Sequence, residues 1–249
     1  MRKLAENYSF AAVPDRNLVL EVCANGYDSA LNAQRAGADR IELCDFLEAG
    51  GITPSPDVVS IIKDRLAIPV FVLIRPRPGN FVYTPAEIRK MKNEIAVCRQ
   101  LGADGFVFGL LNHDGTVDTD RCAALVDETK GAPLTFHRAF DRVKEPFEAM
   151  EQIVKLGFQR ILTSGLKDDC LDGADLISQL VAESAGRLTL LAGGGINESN
   201  FSDIIRRSHT SEFHFSAKTK KEDGSLVSDP SRIRALKEIA EKTFYAKDN

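Results

Sequence analysis

Short runs rich in apolar and β-branched residues recur along the chain at 18–23, 40–44, 70–74, 105–110, 134–137, 160–163, 188–192 and 212–216. Each is long enough for one buried strand and too short for a helix. The segments between them have helical spacing and recognisable ends. In Thr84-Pro85-Ala86-Glu87, Thr84 is the expected cap, Pro85 the first helical residue and Glu87 the return arm of a capping box, so a helix should run to Leu101 and stop at Gly102. Ser55-Pro56-Asp57 and Asp229-Pro230 repeat the cap-then-proline start, and Gly37, Gly131, Gly157 and Gly186 repeat the glycine before a strand. Strand starts follow one another at roughly 20 to 35 residues, near the ~31 expected when about 250 residues form eight βα units.

The pattern predicts an α/β fold, a TIM-type (β/α)8 barrel forming a single domain over residues 18–249, after an N-terminal extension at 1–17. A doubly wound sheet alternates in the same way, but Gly-x-Gly-x-x-Gly is absent after the first strand. Lys218 to Lys221 with Glu222-Asp223-Gly224 reads as an exposed loop after the last strand. No linker or low-complexity segment divides the chain.

Composition narrows the function. Lys+Arg 32 against Asp+Glu 36 in 249 residues leaves a formal charge of −4, and with no Trp there is neither a basic stripe nor a stacking platform for nucleic acid. No window approaches ~20 uninterrupted apolar residues, so a membrane span is not expected. The five cysteines, Cys23, Cys44, Cys98, Cys122 and Cys170, are odd in number, dispersed and never in a Cys-x-x-Cys pair. Free thiols in a reducing cytoplasm are expected, rather than a disulfide scaffold. The N-terminus lacks the apolar stretch of a secretory signal.

In a parallel barrel the strands' carboxyl ends build the site, so polar residues ending apolar strands carry information. The first two strands place a carboxylate and a thiol two residues apart on one face, Glu21 with Cys23 and Glu42 with Cys44. The third ends in Arg75-Pro76-Arg77, the fifth in His137-Arg138, the sixth in Thr163-Ser164-Gly165 and the eighth in His214-Phe215-Ser216. The seventh runs into Gly193-Gly194-Gly195, bare backbone that could offer N–H groups to a phosphate.

Six ordered motifs carry a resemblance: Glu21-Val22-Cys23-Ala24, Gly37-Ala38-Asp39-Arg40-Ile41-Glu42-Leu43-Cys44, Gly50-Gly51-Ile52-Thr53-Pro54-Ser55, Arg75-Pro76-Arg77, Thr135-Phe136-His137-Arg138-Ala139-Phe140-Asp141 and Leu162-Thr163-Ser164-Gly165. From about residue 18 to Ser216 the sequence resembles the CutC copper-homeostasis family. The resemblance implies a TIM-type barrel in a cytoplasmic, oligomeric protein, with Cu(I) bound by the cysteines at positions 23 and 44. Two departures from the family pattern occur: Asn80 where Asp is expected, and Thr84 where Ser is usual. A charge is lost at Asn80, although a hydrogen-bonding role would survive.

Two functional readings follow. In the first, Cys23 and Cys44 bind Cu(I), a soft ion that favours thiolate, and the protein buffers or delivers copper without catalysis. In the second, a barrel enzyme acts on a small anionic or phosphorylated metabolite. Glu21, Glu42 and His137 are then the candidate catalytic groups, and Arg75 and Arg77 clamp the anion. Thr163, Ser164, Gly193, Gly194, Gly195, His214 and Ser216 complete that candidate ligand site. Glu21, Glu42, His137 and His214 could alternatively hold a divalent ion through oxygen and nitrogen. A salt-bridge network joining Glu21 and Glu42 to Arg75 and Arg77 would account for the charges with no ligand at all. A two-fold or higher homo-oligomer is the default assembly.

Overall fold

The structure, a computed structural model, describes residues 17–246; all but residue 17 of the expected N-terminal extension falls outside them. Eight parallel strands close in sequence order into a barrel: β1 (Val19–Ala24), β2 (Arg40–Leu43), β3 (Val70–Leu73), β4 (Gly105–Phe108), β5 (Leu134–Phe136), β6 (Arg160–Thr163), β7 (Thr189–Gly193) and β8 (Glu212–Phe215). One helix follows each: α1 (Tyr27–Arg35), α2 (Pro56–Arg65), α3 (Pro85–Gln100), α4 (Thr119–Thr129), α5 (Pro146–Lys155), α6 (Ala174–Ser184) and α7 (Phe201–Ser208), with α8 (Pro230–Tyr245) last. The predicted barrel is therefore the fold, and the open doubly wound sheet is excluded by closure of β1 on β8.

Local chemistry explains the element ends. Both halves of the capping box at Thr84 and Glu87 are present, α3 ends at Gln100, and Gly102 follows in the left-handed region with φ 85°. The Asp229 side chain accepts from the N–H groups of Ser231 and Arg232 to open α8. Ser55 does not do the same: α2 begins at Pro56 without a side-chain cap, leaving the fixed φ of proline as its start signal. The segment expected as an exposed loop after β8 is exposed from Lys218 to Gly224, but it forms a hairpin, in which β9 (Lys218–Lys220) pairs antiparallel with β10 (Leu226–Ser228). The charged turn at 221–225 hid the return strand, whose Val227 and Ser228 are buried; Asn25, just before α1, and Asn32 within it donate to the carbonyls of Leu226 and Ser228.

Alternation along the strands separates two interiors. One parity (Leu20, Val22, Ile41, Val70, Phe106, Phe213 and their neighbours) packs outward against the helices as the main hydrophobic core. The other parity points into the barrel, where the apolar cluster is small: Cys23, Cys44, Phe71, Leu73 and Val107, with Leu47 against it. Gly105 has a packing role there, since a Cβ at that position would lie 2.7 Å from the Phe71 ring. Most of the remaining inward positions are charged or polar.

Candidate functional site

The floor of the barrel is an ionic lattice. Arg40 on β2 bonds Glu21 through Nε and Glu212 through Nη2 at 2.7 Å, and Arg160 Nε reaches the same Glu212 oxygen at 3.0 Å. Phe71 lies under both guanidinium groups, at 4.9 Å from Arg40 and 5.3 Å from Arg160. Glu21 is completely buried, and its second oxygen takes His214 Nδ1 at 2.7 Å. Burial pushes its carboxyl up, but Arg40 and then His214 outweigh burial and hold it at about 2. Glu21 is thus an ionised anchor between β1, β2 and β8. A salt-bridge network exists, but not the one anticipated with Arg75 and Arg77. Strand parity already marked its other members, since Arg40 lies two residues before Glu42, and Glu212 two before His214.

Above the floor, β1 and β2 bring two thiols together. Cys23 Sγ and Cys44 Sγ are 3.6 Å apart, both buried and both free. The contact with Cys44, with burial next, pushes the Cys23 thiol well above its ordinary range. Cys23 Sγ also lies 3.9 Å from Glu42 Oε1. One donor atom each from Cys23, Glu42 and His214 falls within 4.8 Å of the others. Glu21 holds His214 Nδ1, leaving Nε2 as the ring's remaining nitrogen. Burial pulls the His214 imidazole down, but Glu42, Cys23 and Glu21 together hold it well above its usual value. Burial drives the Glu42 carboxyl up to about 7, with the Glu21 charge adding to the rise and His214 opposing it. His137 belongs to no such cluster among the described residues, so the imagined set of two glutamates and two histidines does not assemble around one point.

The loops after β2 and β3 build one wall. Arg75 is buried and binds backbone carbonyls rather than carboxylates: Nη1 donates to Gly50 and Gly51 at 2.9 Å, and Nη2 to Gly79 at 2.9 Å. Arg77 turns outward to Glu87 Oε1 at 2.6 Å and to the carbonyls of Asn80 and Val82. Asn80 keeps its hydrogen-bonding role despite the missing charge, its Oδ1 accepting from Arg77 Nη2 at 3.1 Å. Phe81 stacks between Arg75, 5.1 Å from its ring, and the His137 ring at 4.8 Å. His137 lies just past β5, where its Nδ1 accepts the Ala139 N–H at 3.2 Å. Burial, helped by the Arg75 charge, lowers its pKa to about 3.

The opposite wall centres on Asp141, which strand-end reading missed because it lies in a 3-10 turn (Arg138–Arg142). Asp141 accepts from Thr163 Oγ1 at 2.5 Å, from Ser164 N at 3.0 Å and from Arg138 Nε at 2.7 Å, while Arg138 Nη2 also bonds Ser164 Oγ at 2.7 Å. Thr163 and Ser164 are therefore engaged with protein. At the glycine run, Gly193 completes β7, and a Cβ on Gly195 would lie 2.3 Å from Asp169 Oδ2. A Cβ on Gly194 would lie 3.3 Å from Arg138 Nη1, so the glycine run meets charges of both signs. Ser216 lies half-buried just beyond β8.

Between the walls is a pocket of about 140 Å³ that includes Cys23, Glu42, Arg75, Phe81, His137 and His214. Three buried polar atoms of its lining residues have no hydrogen-bond partner among the described residues: Glu42 Oε2, Arg75 Nε and His137 Nε2. A hollow of about 180 Å³ beside Lys144 and Glu148 contains none of these groups.

A closed (β/α)8 barrel whose interior brings together two thiols, the Glu42 carboxylate and the His214 imidazole defines a TIM-type barrel protein with a polar interior site. Its family follows from comparison: the CutC family model matches residues 18–219, and the chain belongs to the CutC family. It is 44% identical to the human (Homo sapiens) copper homeostasis protein cutC homolog over 223 residues, covering 90% of this chain and 82% of that protein. It is 39% identical to a family protein CutC of Treponema denticola, over 87% and 88% of the two chains. The solved structure of the copper homeostasis protein CutC of Streptococcus agalactiae superposes with a TM-score of 0.77 at 33% identity, over 80% of this chain and 98% of that one. A phosphoribosylanthranilate isomerase from Pyrococcus furiosus, at 16% identity and a TM-score of 0.57 over 91% and 100% of the chains, shares the fold alone.

Proposed function

We propose that this protein serves copper homeostasis by binding Cu(I) through the thiolates of Cys23 and Cys44, as a buffer or delivery protein in the reducing cytoplasm. The observation that carries this reading is the pair of buried free thiols 3.6 Å apart on adjacent strands. Two thiolates in an enclosed site suit a soft monovalent ion better than a hard divalent one. His214 Nε2 is the natural third donor, because Nδ1 is held by Glu21 in the carboxylate–histidine arrangement that orients metal ligands. The relatives named for copper homeostasis support the same cargo. Cys23 must lose its proton on binding, and His214, held protonated by its carboxylate neighbours, must give up the Nε2 proton to act as third donor, so copper uptake releases protons and strengthens as pH rises.

Competitive Cu(I) titration of reduced, metal-free protein against a chromophoric chelator tests this, with wild type beside Cys23→Ser/Cys44→Ser. Tight one-to-one binding abolished in the double variant is the expected result. Unchanged stoichiometry and affinity in the variant would remove the thiols from the site.

A further inference from the structure

Copper needs the sulfurs and an imidazole; it does not need the rest of the pocket. Three polar atoms of the pocket's lining residues are buried without partners among the described residues, and leaving such groups unmatched costs about 1–3 kcal/mol each, more when charged. Their chemistry can be read atom by atom. His137 Nδ1 accepts the Ala139 N–H, so in the neutral ring the proton sits on Nε2, which is then a donor. Arg75 Nε–H is a second donor, on a guanidinium that is 6% exposed and has no ion pair among the described residues, since its Nη groups all point to carbonyls. A buried cation without a counter-charge calls for an anion. Glu42 Oε2 offers an acceptor from the β2 side. Phe81, packed against both Arg75 and His137, supplies an apolar wall.

We infer that the pocket binds a small hydroxycarboxylate, its carboxylate taking the N–H donors of Arg75 and His137 and its hydroxyl donating to Glu42. A volume of about 140 Å³ limits the ligand to a few heavy atoms. A carboxylate is favoured over a phosphate ester because two N–H donors on one unpaired guanidinium and one neutral imidazole match a planar monoanion, while Glu42 in the same lining opposes a dianion. This inference does not rest on the copper reading, and copper-free protein tests it separately.

The test is isothermal titration of reduced, metal-free protein with lactate, beside lactamide, which lacks the carboxylate, and propionate, which lacks the hydroxyl. His137→Phe removes the donor while keeping a ring beside Phe81 and Phe136; Arg75 is left intact because it holds the loop carbonyls. Lactate should saturate one site, with affinity about tenfold or more weaker in His137→Phe and for lactamide, and weaker for propionate. A ¹⁵N spectrum of the wild-type histidines provides a reading independent of the variant's folding, since the Nε2 signal of His137 should move with lactate saturation. No saturation at millimolar lactate, equal affinity for lactate and lactamide, or an unmoved His137 signal would overturn the inference. None of those results would alter the Cu(I) titration, and failure of copper binding would leave the acid titration standing.

Discussion

Arg40→Met probes the ionic floor directly. Arg40 neutralises two carboxylates at once, the fully buried Glu21 and the 9% exposed Glu212, and lies over Phe71. After the substitution Glu212 retains Arg160, while Glu21 retains only His214. Removing one partner of a buried ion pair costs about 3–5 kcal/mol, because the remaining charge stays buried. In a chain of this size each kcal/mol lowers the melting temperature by about 2–4 °C, so a fall of roughly 6–20 °C is expected. Urea denaturation of wild type, Arg40→Met, Glu21→Gln and the double variant measures the loss. The double variant should be less destabilised than the sum of the singles, with a coupling of about 0.5–3 kcal/mol. Arg187→Met, which removes the exposed pair with Glu151, serves as the surface control and should leave the midpoint close to wild type. A loss for Arg40→Met below about 1 kcal/mol, the range of exposed pairs, would refute the claim that the lattice holds the barrel floor together.

Two further outcomes follow from other parts of the site. His137 is held neutral with a pKa of about 3, whereas the unfolded ring titrates near 6.5, so the unfolded chain binds the extra proton and stability falls as pH drops from about 6.5 toward 3. His137→Phe should flatten that fall by about 1.4 kcal/mol per pH unit at its steepest, seen in urea midpoints between pH 6 and pH 4; an unchanged slope would contradict it. Asp141→Asn removes a charged acceptor shared by Thr163, Ser164 and Arg138, and should cost about 2–4 kcal/mol in the same assay, with no change if the hub is incidental.

The barrel was legible in the sequence because its determinants are local. Strand runs, the Thr84 capping box and helix-ending glycines such as Gly102 each act within a few residues, and their repetition at a constant interval leaves few ways to bury every apolar face. Strand parity likewise put Glu21 with Cys23, and Glu42 with Cys44, on shared strand faces before any partner was known. Partnership is different, because it depends on register and on how far each side chain reaches across the barrel. Glu21 could have met Arg75 as readily as Arg40 on sequence grounds; the pairing of β1 with β2 sets Glu21 opposite Arg40, while Arg75 is drawn into the carbonyls of the loop at 49–51. The hairpin of β9 and β10 was hidden behind its charged turn, and Asp141 behind a 3-10 segment that follows neither period. The sequence by itself determined that eight βα units would close around a polar axis. Only the tertiary structure decided which charges cancel within the protein and which polar atoms of the pocket's lining residues are left without a partner among the described residues, because those pairings join residues as distant as Arg40 and Glu212.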